Sequence, residues 1–528
     1  MIADNYILEK NRMDDLENQF SEKKIYEIND TNNGNYGDGK IKYQLSQVFN
    51  LNSLMNFKDG VLMIPLVIDF RLTVPTGAVT LTPEMVRKLV SIKSGSLISG
   101  VRMRINGESV VSYDSNLNEL IEFDFLTKCI VGNTKEWKNS CHSYLSEQYV
   151  SISTPEDRIT YQKRYDNNAL VTSFENDLNI ENNENLVRRD GLYEKLNSVG
   201  NLQLERQNYV ENMNVPVGAI QSTRLYFYYI IKLGQIHNIF TEMNISRAFV
   251  DFDLDINLGT STISAASLTT TYRLNECVLS HINNFKNTTS SIYFNLDGVR
   301  PTALNNAWWK SGGIPAAETI NMSATISVDA SVGTKLSIPI YKLKPQFNEL
   351  YLKDAMRTLK FNDYLYYNLN NINTGSAVNF TISNAVSNCK YLLMVPQIVN
   401  NKLNALNQSV LLNGPLVLSN LQLIKGSSVF NSPLVYTYDM FVNYIKGLNN
   451  MNGGEDWVNS LFSLNDFNKI YRLYFFDLTL INNEKDVAYN LSVQFINKTL
   501  KSINVDFYVF EEKELMFNKL NGRIGKLN

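Results

Sequence analysis

The sequence predicts an all-β protein built from antiparallel strands. Apolar and polar residues alternate strictly in segments such as 250–258, 487–495 and 502–509. Successive side chains of a strand point to opposite faces, so such alternation is typical of half-buried strands. The linking segments are rich in Asn and Gly, and aromatic residues, which pack well on pleated sheets, reach 11% with 29 Tyr.

Length and composition set the scale of the protein. A chain of 528 residues exceeds one ordinary core, which favours two to four domains. More than a dozen short strands need at least two sandwiches or barrels to bury their inner faces. The net charge of −3 and the 19% of charged residues lack the basic stripe of a general nucleic-acid binder.

The first part of the chain combines a polar start with strand patterns. Residues 1–45 are polar and predict an N-terminal arm that is dispensable for folding and contacts other subunits. A buried strand is predicted over 61–72, where Pro65 indicates an edge strand or a bulge. A short helix is predicted over 82–92, and Asn106-Gly107 predicts a hairpin turn.

The apolar period is lost over 134–217, which predicts either a functional loop excursion or a flexible insertion. Strand patterns then continue to residue 510, with short helices predicted at 346–358 and 438–448. Residues 224–233 and 335–343 form a faint repeat of a strand followed by a helical turn. This repeat has two alternative explanations, a duplication or chance similarity between strands.

Three acidic residues invite a calcium hypothesis. Asp251, Asp253 and Asp255 are spaced by two, whereas an EF-hand loop needs Gly at its sixth position and Glu at its twelfth; Ile256 and Thr262 stand there. Spacing by two places the three carboxylates on one face of a strand. A solvated strand face is therefore the main interpretation, with a cation site as the alternative.

The remaining residue types of catalytic or metal sites form no known motif. Neither the cysteines nor the histidines have zinc-ligand spacing, and we expect no catalytic, cofactor-binding or metal residues. These residues are Cys129, Cys141, Cys277, Cys389, His142, His237 and His281. Trp308-Trp309 predicts a loop anchor against a neighbouring domain or subunit, with a sugar-stacking platform as the alternative.

The start of the chain lacks the basic and then apolar order of a signal peptide. The longest apolar runs, 61–68 and 226–231, are shorter than the roughly 20 residues that cross a bilayer. We therefore expect no transmembrane segment, synthesis in the cytosol and buried cysteines that remain reduced.

The order of these features resembles that of one protein family. Residues 97–107, residues 336–343 and the closing strands 472–481, 487–495 and 502–510 are similar to the double jelly-roll major capsid proteins of virophages, polinton-like viruses and adenoviruses. The similarity is one of order and rhythm over most of residues 50–510.

This resemblance implies a viral structural protein of a DNA virus, not an enzyme, made of two antiparallel jelly-roll sandwiches side by side with short helices and long loops. It divides the chain into the arm 1–45, a first jelly roll 46–287 with the insertion 134–217, and a second jelly roll with a C-terminal tail, 288–528.

The implied assembly is a homotrimer that forms a pseudo-hexameric capsomer of an icosahedral capsid. Its partners would be its own copies, neighbouring capsomers and penton or minor capsid proteins, and its location the virion after synthesis in the host cytosol. No cofactor is implied. A carbohydrate-binding or carbohydrate-cleaving β-sandwich protein remains an alternative, as does a spike or other minor virion protein.

Overall fold

The structure is a computed structural model that describes the chain in segments, most of which are strands. The described residues are 19–45, 54–73, 90–92, 97–128, 209–213, 220–243, 250–256, 259–266, 272–280, 291–298, 319–353, 356–386, 388–399, 411, 416–429, 436–451, 464, 467, 471–480, 488–499, 501–518 and 524–527.

The elements divide at a helical link near residue 350. The strands before it are β1 (Phe20–Asn29), β2 (Lys40–Gln44), β3 (Leu54–Met55), β4 (Val61–Thr73), β5 (Val90–Ile92), β6 (Ile98–Ile105), β7 (Glu108–Ser115), β8 (Tyr209–Met213), β9 (Ile220–Lys232), β10 (Val250–Ile256), β11 (Gly259–Ala266), β12 (Tyr272–Ser280), β13 (Ser291–Gly298), β14 (Thr319–Val328) and β15 (Lys335–Leu343). The strands after it are β16 (Met356–Ile372), β17 (Ala377–Val386), β18 (Cys389–Ile398), β19 (Leu418–Lys425), β20 (Ser428–Val429), β21 (Tyr474–Asp477), β22 (Tyr489–Asn497), β23 (Ile503–Asn518) and β24 (Ile524–Leu527). The helices are α1 (Leu117–Lys128), α2 (Leu233–Ile236), α3 (Asn238–Glu242), α4 (Pro345–Leu352) and α5 (Tyr438–Met451), with a 3₁₀ turn at Leu478–Leu480.

Two sandwiches with the same strand order make up the fold. In the second, the eight strands from β16 to β23 form one sheet in the order β16-β23-β18-β21 and another in the order β17-β22-β19-β20. Counted along the chain, the first strand therefore pairs with the eighth, the eighth with the third and the third with the sixth. The other sheet joins the second, seventh, fourth and fifth strands, which gives the two-sheet wrap of a jelly roll.

The first sandwich repeats this order with eight other strands. One sheet contains β1-β15-β4-β9, and the facing sheet contains β2-β10-β6-β7. Strands β11 to β14 are inserted between the seventh and eighth strands, and β14 pairs with β4. All strand pairs of the two sandwiches are antiparallel, so the predicted all-β double jelly-roll fold is confirmed.

The hydrogen bonding divides the chain between Leu343 and Met356 rather than at the predicted boundary of 287/288. Strand β15 is the eighth strand of the first jelly roll, and it lies between the first and third strands of that sandwich. The long insertion before it separates this strand from its partners in sequence. The faint repeat belongs to the same sandwich, since β9 and β15 both pair with β4, and it does not relate the two jelly rolls.

The N-terminal segment differs from the predicted arm of residues 1–45. Its part from residue 20 onward supplies the first two strands of the first jelly roll, and Ile41 and Tyr43 have no exposed surface. The hydroxyl groups of Tyr43 and Thr334 are hydrogen-bonded at 2.7 Å. The Asp30 carboxylate accepts hydrogen bonds from the Thr334 amide at 2.8 Å and hydroxyl at 2.7 Å. This segment therefore contains two strands of the first jelly roll in spite of its polar composition, because only a few of its residues point inward and are buried.

Pro65 lies in β4, which is paired along both of its sides and is neither an edge strand nor bulged at this residue. On one side, the pairing with β15 ends at Met63 and the pairing with β14 begins at Leu66. The Pro65 carbonyl accepts a hydrogen bond from the Asp329 amide at 2.9 Å on that side. The missing N–H of proline thus falls where one partner strand replaces another.

Several local predictions are confirmed. Asn106 and Gly107 have φ values of 51° and 85°, as a two-residue hairpin turn of the primed type requires. Strand β10 alternates between buried and partly exposed residues along its whole length. Helices α4 and α5 lie at the predicted positions, although α4 ends before β16 begins at Met356.

Two predicted segments lie mostly outside the described residues. Of the predicted helix 82–92, only β5 is described, and it is a strand that pairs in parallel with β12. Of the segment 134–217, only β8 is described, which pairs with β9. The prediction for the rest of that segment stays a prediction.

Candidate functional site

The acidic face of β10 is paired with arginines of the neighbouring strand. Asp253 lies 3.8 Å from Arg104, and Asp255 lies 3.7 Å from Arg102. Both arginines belong to β6, which is antiparallel to β10. Each such exposed pair contributes on the order of 0–1 kcal/mol. This is the predicted polar strand face, and its carboxylates are spread along the strand rather than gathered around one point.

Few of the other cysteine, histidine and tryptophan residues considered in the sequence are described. Burial raises the pKa of the Cys389 thiol to about 12, so this group is a poor nucleophile. His237 is buried in a contact between the sandwiches. In the described part of the chain, no group of three or more His, Cys, Asp or Glu residues is arranged to hold a metal ion. The structure leaves undescribed the side chains of Cys129, Cys141, Cys277, His142, His281, Trp308 and Trp309.

The most developed polar site lies in the seam, which we define as the contact of α1, α2 and α3 of the first sandwich with β16, β18, β21 and β23 of the second. Helix α1 follows the fifth strand of the first jelly roll, and residues 117–123 are all buried. The hydroxyl group of Tyr508, on β23, donates a hydrogen bond to the Glu119 carboxylate at 2.6 Å. The amide nitrogen of Gln397, on β18, lies 3.5 Å from the other oxygen of Glu119.

The electrostatics of this contact follow from its burial. Burial, and then the negative charges of Glu119 and Asp506, raise the pKa of Tyr508 well above its ordinary value. The phenol therefore stays protonated and can donate to Glu119 at any physiological pH. Hydrogen bonds to charged groups contribute about 1.5–3 kcal/mol, and a buried carboxylate that loses its donor is strongly destabilising.

Apolar contacts accompany the hydrogen bonds of the seam. The rings of Phe123, on α1, and Phe475, on β21, are stacked with their centroids 5.8 Å apart. Phe475 also stacks on Tyr391 at 5.5 Å, which links α1 to the interior of the second sandwich. Aromatic pairs of this kind contribute about 0.5–1.5 kcal/mol beyond area burial. The two jelly rolls thus share one continuous core.

A second part of the seam covers the edge of β16. This strand pairs only with β23 among the described residues, and its other side meets α3. The backbone N–H of Asn362 donates a hydrogen bond to the side-chain oxygen of Asn238 at 2.9 Å. A side chain of the first sandwich therefore satisfies a backbone donor that an edge strand would otherwise present to solvent.

A charged group lies beside this edge. The His237 ring nitrogen Nε2 is 3.6 Å from the Asp363 carboxylate, and both side chains are buried. The Lys513 ammonium group contacts the other carboxylate oxygen. Burial alone would raise the pKa of Asp363, but the polar contact with His237 and the positive charge of Lys513 outweigh it and hold the pKa well below its ordinary value. The His237 Nδ1 atom accepts from the Ile239 amide at 3.2 Å, which places the proton of a neutral ring on Nε2, facing Asp363.

The seam contains a partly open cavity of about 50 Å³, lined by Leu120, His237, Tyr364 and Phe510 among others. Ligand pockets are typically ~300–1,000 Å³, whereas about 10–15 Å³ accommodates one water molecule. This cavity is therefore suited to water between the sandwiches rather than to a substrate. The seam is a structural joint, and its residues bind the two jelly rolls together.

The outer surface carries large apolar side chains on both sandwiches. Those exposed in the described residues are Ile25, Tyr26, Val332, Met356, Leu365, Val417, Val429, Leu464 and Met516. Single exposed apolar residues are ordinary, but Ile25 and Tyr26 are adjacent on β1, an edge strand within the described part of the chain. No helix among the described residues is long and apolar enough to span a membrane.

Sequence reasoning did not find the seam. Residues 117–123 were not predicted to form a helix, and Glu119, Tyr508 and Asp363 were not predicted to be functional. Residues 117–123 of α1 are all buried, so this part of the helix has no exposed polar face to produce a helical period. The one usable signal was the presence of two acidic residues, Glu119 and Glu122, among the apolar residues Leu117, Leu120, Ile121 and Phe123.

Comparison with known proteins returns viral structures. No family model and no curated protein matches the chain. A chain from the particle of the virophage Sputnik covers 97% of this chain and 89% of its own length, with 12% identity and a TM-score of 0.47. The mavirus major capsid protein covers 96% and 90%, with 11% identity and a TM-score of 0.43. The Faustovirus major capsid protein covers 96% and 94%, with 8% identity and a TM-score of 0.42.

Proposed function

We propose that this protein is a viral major capsid protein that works by self-assembly rather than by catalysis. The observation that carries the proposal is the repeated strand order, in which two complete jelly rolls of identical wrap occur in one chain. Jelly rolls are a common fold of capsid subunits, though other proteins share the fold. The sequence resemblance to double jelly-roll capsid proteins supports the same assignment.

The seam supports an architectural role. Buried hydrogen bonds, stacked rings and a shared core hold the two jelly rolls in one fixed relation. A subunit that presents two sandwiches as one block gives a trimer six sandwiches around its axis. Such a trimer is the pseudo-hexameric capsomer that the resemblance implies, and ring closure buries large side surfaces. We place it in the virion, in contact with other capsomers and with penton or minor capsid proteins.

The carbohydrate alternative gains no support from the described residues. It depends on Trp308-Trp309, which lie outside them, and the seam cavity of about 50 Å³ is small for a sugar. A spike or minor virion protein remains distinguishable by its assembly, because such a protein would not tile a surface.

The test is the mass and shape of the purified full-length chain. A subunit of 60.3 kDa should form a trimer of about 180 kDa in light scattering or native mass spectrometry. Negative-stain images should show particles with a six-lobed outline, and concentrated protein should form sheets or shells. A monomer throughout the micromolar range, or an elongated spike-like particle, would overturn the proposal.

A further inference from the structure

Strand β1 lies at the edge of its sheet among the described residues. It pairs with β15 alone among the described residues. Residues 23–27 are all exposed, and the Ile25 side chain is 70% accessible. Along the strand, Lys23, Ile25 and Glu27 share one face because side chains alternate. An apolar residue thus stands between a positive and a negative residue on an edge that no other described strand covers.

The register shows which backbone groups of β1 point outward. Ile25 lies opposite Pro339 of β15. The Pro339 carbonyl accepts a hydrogen bond from the backbone N–H of Asn56 at 3.0 Å, so it points to the side of β15 that faces away from β1. The pair Ile25–Pro339 is therefore a non-hydrogen-bonded pair, and such pairs alternate with hydrogen-bonded ones along an antiparallel ladder. The N–H and C=O groups of Lys23, Ile25 and Glu27 consequently face the open edge.

We propose that this edge pairs with the same edge of a second copy of the chain, antiparallel and centred on Ile25. In that register Ile25 lies opposite Ile25 of the other copy, and Lys23 lies opposite Glu27. Three hydrogen-bonded pairs form across the contact, with residues 23, 25 and 27 facing 27, 25 and 23. The contact is isologous, since each copy uses the same surface.

Charge complementarity selects this partner over a generic strand. Lysines on an edge strand usually oppose pairing with other chains. Here the two-fold axis sets each Lys23 against a Glu27, and oppositely charged residues across a ladder are stabilising. Glu27 already lies near Lys335, at 3.5 Å, on a side chain that is 63% exposed, so it stays accessible to a second cation.

A two-fold contact lies off the three-fold axis of a trimer, so it would join one capsomer to the next. That location rests on the proposed function, whereas the edge contact itself does not. A trimer without the edge contact would refute only this inference. An edge-paired dimer without a trimer would refute only the proposed function.

The sharpest test is a self-cross-link. Opposite Cα atoms of a hydrogen-bonded antiparallel pair are about 5.5 Å apart, within the usual range for a disulfide. Full-length Ile25→Cys protein should give a covalent dimer under mild oxidation, removed by reductant. Val332→Cys is the matched control, because Val332 is also exposed, at 41%, but lies in the turn before β15. A dimer band no stronger than that of the control or the unsubstituted chain would overturn the proposal.

A charge exchange tests the register independently. Lys23→Glu or Glu27→Lys alone should weaken association at least about tenfold, because like charges then face each other twice. The double variant restores both pairs and should associate like the original chain. Lys335→Glu, which changes the neighbour of Glu27 but not the edge, controls for contacts within the subunit. A double variant as weak as the single variants in sedimentation measurements would exclude this pairing.

Discussion

Replacing Tyr508 with Phe should loosen the seam without disturbing either sandwich. The substitution removes only the hydroxyl group that donates to Glu119 at 2.6 Å and keeps the ring. Both residues have no exposed surface, so water cannot replace the lost donor without entering the core. The contact between the Glu119 carboxylate and the Gln397 amide nitrogen is longer, at 3.5 Å, and is expected to remain.

The magnitude follows from the charge on the acceptor. A hydrogen bond to a charged group contributes about 1.5–3 kcal/mol, more than a neutral one. Spread over the second jelly roll, residues 356–518, this loss corresponds to a fall in melting temperature of about 3–12 °C. Because the bond joins the two sandwiches, its loss should also separate their unfolding into two calorimetric transitions.

Tyr366→Phe is the matched control. Its hydroxyl group also donates to a buried carboxylate, that of Asp506 at 2.7 Å, but both residues belong to the second jelly roll. This variant should lower stability without separating the transitions. Calorimetry and hydrogen exchange of α1 measure the two effects. The reasoning on the seam fails if Tyr508→Phe melts like the original chain, or if both variants change the transitions in the same way.

Three further predictions concern burial and charge. Asp363→Asn should make the melting temperature fall less steeply below about pH 4, as measured by acid titration. A carboxyl group whose pKa is lower in the folded state stabilises the protein above its unfolded pKa and loses that contribution as pH falls, and the Asn variant has no such contribution to lose. Val493→Asp should lower the free energy of unfolding by more than about 4 kcal/mol and yield insoluble protein, because it buries an unpaired charge. Val429→Asp, at a site 54% exposed in the same sheet, should give soluble protein. Deleting residues 1–45 should prevent folding, because two strands of the first jelly roll are lost, and a soluble folded product would contradict this.

The sequence was informative wherever a strand has one wet and one dry face. The alternation in β10 and β22 gave their positions to within a few residues, and it gave the start of β23, which continues to Asn518 beyond the predicted end at 510. Asn106-Gly107 identified its hairpin because few residue pairs adopt positive φ twice in succession. The alternation of a strand and the φ angles of a turn both depend on residues that are neighbours in the sequence.

Pairing between distant strands was harder to predict. Strand β15 lies beside β1 although more than 300 residues separate Lys24 from its partner Ile340. Nothing in the sequence of either strand specifies the other. The predicted domain boundary of 287/288 therefore fell within the long segment between β10 and β15, before the last strand of the first jelly roll. Strand β1 itself was missed because Ile28, near its end, is its only buried residue, so it has almost no apolar period.

The least predictable part is the one that determines how the two jelly rolls act together. The strand order is the same in both sandwiches, so the strands alone do not distinguish a rigid pair from two independent domains. The distinction comes from α1, which follows β7, and from α2 and α3, which follow β9. Helix α1 buries Glu119 against the second sandwich. The segment of α2 and α3 places His237 and Asn238 against strand β16 of that sandwich. Connections therefore convert a repeated fold into a single block, and the variants of Tyr508 and Tyr366 separate the strength of the block from the strength of its parts.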